Sequence, residues 1–281
     1  MKKQTLFNAT LEESMNLVTD KYIQTAMEDI NEKGYKRKIL GFFTMIFFML
    51  CMYWLGIYTD SHLEKPYFIN TSILMLPPLI IGVLITCHYL FELIKVKQSR
   101  ILSYYYYNKN MLAVVSCFAL QAVIYSIIGS SSVLGNILGT GIYGLLFIFI
   151  GFERYRWFKE DTLASLYGQQ DFNNPLARFL DYFVIFSKKY GGLVVLLLFL
   201  LRLFLPGGSD IYHNDIIRNV VLIFFPLPLA LGVYFVVALG ADNFQGYYLQ
   251  KYLEDYREMS GYSIEEWYGP KSKKYKESLR Q

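Results

Sequence analysis

Long stretches without charge constrain this chain more than any other feature. From Asn110 to Phe152, 43 consecutive residues include no Asp, Glu, Lys or Arg. A helix needs about 20 apolar residues to cross the hydrocarbon core of a bilayer. The stretch is therefore long enough for two spans, and the Gly-Ser-Ser-Ser run at 129–132 predicts the turn between them. Because lipid offers no hydrogen bonds to the backbone, spans of this kind are expected to be helical.

Six apolar segments divide the chain and predict an all-α, polytopic membrane protein. An N-terminal arm (1–38) precedes a transmembrane domain (39–241), and a tail (242–281) follows it. A long polar loop is predicted at 153–190. The six predicted spans are 39–58, 72–91, 111–128, 133–152, 191–205 and 220–241.

The distribution of Lys and Arg predicts the orientation of these helices. Of the 27 basic residues, 24 lie in alternate polar stretches, at 1–38, 92–110, 153–190 and 242–281. Cations beside a span resist translocation, so these stretches and both termini are predicted to be cytoplasmic. The expected location is a cell membrane, the cytoplasmic membrane of a bacterium. Most acidic residues share these stretches, which favours anionic lipid over nucleic acid as the partner of the basic residues.

The cytoplasmic segments are predicted to be helical as well. Residues 10–33 begin with a capping box at Thr10 and Glu13 and show an apolar stripe at helical spacing. The stripe fits an elbow helix in the inner leaflet or a helix docked on the protein's own inner face. The tail is rich in tyrosine, which predicts a belt at the level of the lipid headgroups. The residues from Gly269 onward are charged and are predicted to be loose.

Small residues mark the predicted fourth span. The run from Gly139 to Gly144 matches the G-x-G-x-x-G fingerprint of dinucleotide sites, but no strand precedes it, so no cofactor is predicted. Gly135, Gly139 and Gly144 instead favour the close approach of another helix, either within the bundle or in a homo-oligomer.

Two sites within the spans carry charge. Arg202 lies in the predicted fifth span, where it either extends to the outer headgroups or contacts an anionic group inside the bundle. His88 and Glu92 are one helical turn apart near the inner end of the second span. They fit a proton relay or ion site, or an ordinary ion pair at the membrane interface.

The predicted outer loops combine histidine with carboxylates. Asp60 and His62 lie in one loop, and His213 and Asp215 lie in another on the same side. These four residues are weak candidates for a divalent-metal or pH-responsive site, and two ordinary solvated loops explain them equally well. In the last span, Pro226 and Pro228 predict a break of the kind that lines some transport sites.

The chain contains no nucleophile elbow, H-E-x-x-H motif or P-loop, so we expect a protein that is not an enzyme. In general layout it is similar to small membrane proteins encoded beside bacterial toxins or exporters. The first hypothesis is an immunity or accessory factor that binds a membrane-targeting toxin, or a component of a secretion system, within the membrane. The alternative is the permease subunit of a small ABC-type exporter that works with a separate ATPase.

Overall fold

The computed structural model describes residues 4–62, 67–96, 99–168, 215–238 and 240–280. Helices are the only regular secondary structure in these residues, as the sequence predicts. In chain order the described helices are α1 (Leu11–Met15), α2 (Asp20–His62), α3 (Thr71–Val96), α4 (Leu102–Leu134), α5 (Asn136–Tyr167), α6 (Asp215–Phe224), α7 (Pro226–Ala238), α8 (Ala241–Lys251), α9 (Leu253–Ser260), α10 (Ile264–Tyr268) and α11 (Lys273–Ser278).

Five described helical segments are long and apolar enough to cross a membrane. Large apolar side chains point outward along them, among them Trp54, Phe91 and Ile148, each 70% exposed. Such a surface suits lipid rather than water, which supports a membrane protein. The predicted fifth span, 191–205, lies outside the described residues. The five segments are Gly34–His62, Thr71–Ile94, Leu102–Leu134, Asn136–Tyr167 and Asn219–Val237.

The N-terminal arm docks on the protein itself. Gly34 has φ 58° and ψ 160°, a conformation that divides α2 into an arm helix and a membrane helix. The middle of the arm's apolar stripe is buried, with Val18, Tyr22 and Ala26 each at most 6% exposed. Of the two arrangements that the stripe allows, the structure shows the docked one and not an elbow helix in lipid.

The arm packs against the C-terminal tail to form a compact unit at one end of the bundle. We call this unit the cap: residues 4–33 and 240–280, seated on the first turns of α4. The Tyr248 hydroxyl donates to the carbonyl of Leu6 at 2.8 Å, and the Ser14 and Tyr256 hydroxyls lie 2.7 Å apart. Helix α8 approaches α4 closely because Gly246 leaves room for the Tyr105 ring.

Two predictions about the tail are wrong. The tyrosines at 248 and 256 are 0% and 3% exposed, so they form the core of the cap rather than a headgroup belt. The last residues are ordered in helix α11, whose start is capped by the Ser272 hydroxyl accepting from the Tyr275 amide. Lys274 of this helix pairs with Glu254. Contacts with distant residues provide the order that the charged local sequence does not indicate.

The turn between α4 and α5 lies at Gly135, three residues beyond the predicted run. The hydroxyls of Ser130 and Ser132 donate to the carbonyls three residues earlier, so the helix continues through both. Gly135 then takes φ 90° and ψ 147°, which a residue with a side chain rarely adopts. Beyond the predicted fourth span, α5 continues to Tyr167, so the first part of the 153–190 loop is helical.

Candidate functional site

His88 and Glu92 are brought together, but Glu92 has stronger partners. The His88 Nε2 atom lies 3.4 Å from Glu92 Oε1, and the imidazole is 60% exposed. Lys109 Nζ donates to the same oxygen at 2.9 Å, and Asn110 Nδ2 donates to Oε2 at 2.5 Å. The carboxylate is therefore neutralised across α3 and α4 and ties these helices together.

A second buried ion pair joins the arm to the bundle. Asp29 and Lys38 form a salt bridge in which both side chains are 3% exposed. Lys38 Nζ also donates to Ser103 Oγ at 3.0 Å and lies 5.4 Å from the centre of the Tyr107 ring. Sequence reasoning missed this pair because the two residues are nine positions apart on opposite sides of the Gly34 kink.

The three candidate glycines have three different surroundings. Gly135 forms the turn described above. A Cβ at Gly139 would lie 2.5 Å from Ser131 Oγ, so this glycine allows α4 and α5 to pack closely. A Cβ at Gly144 would meet no other described residue within 4 Å. Close helix packing is therefore found at Gly139, and Gly144 lies on an open face of α5.

The predicted proline break lies between α6 and α7. Helix α6 ends at Phe224, and α7 starts at Pro226 and contains Pro228. The Tyr143 hydroxyl of α5 donates to the carbonyl of Ile223 beside this break. A backbone group at an interrupted helix needs such a partner in lipid. Tyr143 was not predicted from the sequence, in which a single mid-span tyrosine carries no distinguishing pattern.

Asp60 acts as a helix cap in the structure. Its Oδ1 accepts from the Thr71 amide at 2.6 Å, and its Oδ2 accepts from the Ser72 amide at 2.9 Å and the Ser72 hydroxyl at 2.6 Å. His62 stacks on Tyr58 with ring centres 4.0 Å apart. Both residues thus have structural contacts that account for them.

The other predicted site residues are less informative. His213 and Arg202 lie outside the described residues, and Asp215 begins α6. In the described part of the chain, no three His, Cys, Asp or Glu residues lie close enough together to hold a metal ion.

A groove between the arm and the tail is a concave feature that sequence reasoning missed. It consists of two adjoining depressions of about 590 and 430 Å³. Asp20, Ile23, Met259 and Ser260 line both depressions and make them continuous. We call this feature the arm–tail groove. It forms only when segments more than 230 residues apart meet, so no local pattern predicts it.

No family model, curated protein or solved structure matches this chain.

Proposed function

We propose that this is a non-enzymatic integral membrane protein that binds the membrane-spanning segment of a partner. The partner in this proposal is a membrane-targeting toxin or a component of a secretion system, and the protein is its immunity or accessory factor. The observation that carries the proposal is the outward face of α5.

Among the described residues, helix α5 has one packed face and one face that no other element covers. Tyr143 and Phe147 are 6% and 8% exposed and pack toward the bundle. On the other side, added Cβ atoms at Gly141, Gly144 and Gly151 would meet no described residue within 4 Å. Large apolar side chains border this row of glycines, namely Leu138, Ile142, Leu145, Ile148, Phe149 and Phe152.

A row of glycines between bulky residues is suited to binding another helix in lipid. Lipid tails are as apolar as leucine, so helices associate in membranes through close backbone packing. Glycine permits that approach, and the flanking side chains supply van der Waals contact. The open face of α5 thus supports binding within the membrane.

The test is a crosslinking pull-down from native membranes with Gly141→Leu/Gly144→Leu. The double variant should lose the membrane protein captured by the wild type and still fold, because both positions are open. Gly232→Leu is the matched control, since Gly232 of α7 also has open surroundings. Equal capture by the double variant and the control would contradict the proposal.

The permease subunit remains a second candidate because of the break at Phe225. Interrupted spans whose freed carbonyls face neighbouring helices occur at transport sites. This candidate requires a separate ATPase, and the cap would be the surface it meets. Co-purification of a nucleotide-binding protein, with loss of export on its deletion, would favour the permease. Purification with a toxin or secretion component and no such protein would exclude it.

We further propose six spans with both termini in the cytoplasm of a bacterium. The contacts between arm and tail support two termini on one side, and hence an even number of crossings. Five described helical segments then require one more crossing, for which 191–205 is the apolar candidate in the sequence. The cytoplasmic assignment rests on the Lys and Arg pattern.

A further inference from the structure

We propose that the arm–tail groove binds a basic amphipathic helix. This inference is independent of the proposed function, because the groove belongs to the cap and not to the membrane face of α5. The partner is defined by chemistry: a cationic helix with apolar side chains along one face.

Part of the groove lining is apolar and adaptable. Val18 and Ile23 are 6% and 4% exposed and form its fixed part. Met15 and Met259 are 49% and 47% exposed, and Met27 also lines the groove. Unbranched methionine side chains adjust their shape to different ligands and are common at surfaces that bind amphipathic helices. This apolar part, the floor of the groove, therefore suits the apolar face of such a helix.

The rim of the groove is acidic. Asp20, Glu28 and Glu266 line it together with one cation, Arg100. Glu28 accepts a hydrogen bond from Gln24, and Glu266 accepts hydrogen bonds from Ser263. Both partners are neutral and bring no positive charge to the rim. The chain as a whole carries a net charge of +4. An acidic rim on a basic protein therefore selects for a cationic ligand.

The same charge disfavours a lipid surface as the occupant. Anionic headgroups attract Lys and Arg, and they repel carboxylates around an apolar recess. A cationic helix instead places its apolar side chains on the methionine floor while its Lys or Arg side chains meet the rim. The shape and the charge of the groove thus favour binding of a basic helical segment.

Binding is tested with the full-length protein in nanodiscs of zwitterionic lipid. The probe is a fluorescent Leu/Lys amphipathic peptide of about 18 residues, long enough for about five helical turns. A Leu/Glu peptide of the same spacing and empty nanodiscs serve as references. We expect the Leu/Lys peptide to bind more tightly to loaded discs than to empty ones. This binding should weaken as added salt screens the carboxylates of the rim.

Variants assign the binding to the groove. The Asp20→Asn/Glu28→Gln variant should bind the Leu/Lys peptide with about tenfold lower affinity, and this affinity should depend less on salt. The Met259→Ala variant should also bind the Leu/Lys peptide with lower affinity, but this affinity should depend on salt as it does in the wild type. Glu277→Gln, an exposed carboxylate of α11 outside the groove, should have no effect.

The proposal is overturned if the Leu/Lys peptide binds loaded and empty discs equally, or if the Leu/Glu peptide binds as tightly as the Leu/Lys peptide. It is also overturned if the Asp20→Asn/Glu28→Gln variant binds the Leu/Lys peptide with unchanged affinity, or if the protein self-associates and the groove variants abolish this self-association. The last would assign the groove to a second copy of this chain. None of these outcomes affects the α5 proposal, which is tested by crosslinking within the membrane.

Discussion

In the described residues, one buried ion pair joins the arm to the bundle and another joins two helices within the bundle. Asp29 is paired with Lys38, and Glu92 with Lys109, so each buried carboxylate has a lysine partner. Removing one member of such a pair leaves a buried charge uncompensated, which usually costs about 3–5 kcal/mol. The Asp29–Lys38 pair therefore connects the arm to the bundle, and the Glu92–Lys109 pair connects α3 to α4. Neither pair needs a catalytic role to explain its buried carboxylate.

Asp60 should contribute to stability through its three hydrogen bonds at the start of α3. Asp60→Ala removes the acceptor for the Thr71 and Ser72 amides, and we expect a loss of about 1–2 kcal/mol. Thermal unfolding in detergent measures the effect. Ser61→Ala is the control. The Ser61 hydroxyl forms hydrogen bonds with its own exposed helical turn and with His62, so its loss should change the midpoint of thermal unfolding little. A midpoint shared by both variants would contradict the capping role.

Glu254 should make the stability of the cap depend on acid. Desolvation raises the pKa of this carboxyl, but hydrogen bonds from Lys274 and Arg257 outweigh it and lower the pKa from 4.5 to about 2. Because the folded pKa lies below the unfolded one, the stabilisation is full above about pH 4.5 and is lost as the pH falls toward 2. The side chain is 45% exposed, so solvent screening keeps the effect modest.

Unfolding midpoints between pH 6 and 2 should therefore fall more gently in Glu254→Gln than in the wild type. Asp255→Asn removes one negative charge from the same helix and controls for the change in net charge. Identical acid slopes in the wild type and Glu254→Gln would show that the ion pairs with Lys274 and Arg257 do not stabilise the folded cap.

At the scale of single elements, the hairpin of α4 and α5 depends on two glycines with different tasks. Gly135 supplies the positive φ of the turn, and Gly139 lets the helices touch immediately after it. Ser131 of α4 packs against Gly139 of α5, and α4 remains helical through this serine. This arrangement fixes which face of α5 is turned outward.

Gly135→Ala should destabilise the protein by about 1–3 kcal/mol, because alanine is strained at φ 90° and ψ 147°. Gly141→Ala is the matched control on the open face of α5, and it should be neutral or raise stability by about 0.5–1 kcal/mol. Unfolding in the same detergent compares the two. Equal midpoints would mean that the turn tolerates other backbone conformations.

The elements differ in how far the sequence predicts them. The five described spans follow from runs of apolar residues, which is local information. The turn was misplaced by three residues because serine hydroxyls can satisfy helical carbonyls, so a serine run does not by itself end a helix. The cap was missed because it depends on contacts such as that between Ser14 and Tyr256, 242 positions apart. The same holds for the partners of Glu92: helical spacing predicted His88, and only the packing of α3 on α4 brings in Lys109 and Asn110.

At the scale of the whole molecule, the cap brings the two ends of the chain together. The Tyr167 hydroxyl donates to the carbonyl of Thr5, so the end of α5 joins the same unit. Helix α7 runs toward the cap: Ile223 just before it lies beside Tyr143, and Gly240 just after it lies near Leu112 and Phe158. The polar segments of the described chain, the arm and the tail, therefore lie together at one end of the helical bundle.

Labelling with a membrane-impermeant thiol reagent tests the topology. In a background with Cys51, Cys87 and Cys117 replaced by alanine, Ser132→Cys near the Gly135 turn should react in intact cells. Lys276→Cys in the cap should react only after the cells are permeabilised. Labelling of both positions in intact cells, or the reverse order, would contradict cytoplasmic termini.

The order of protein synthesis gives the cap a further consequence. The arm is synthesised before the tail, which contains Tyr256, the partner of Ser14, and Gly246, which lies beside Tyr22. At about 5–20 residues per second, the arm waits roughly ten seconds to a minute with the tail side of its apolar stripe uncovered. A chain that stops before the tail can cover the stripe with α4 alone, through contacts such as that between Tyr22 and Tyr104, and leaves the tail side of the stripe exposed. The cap thus closes only after the tail has been synthesised.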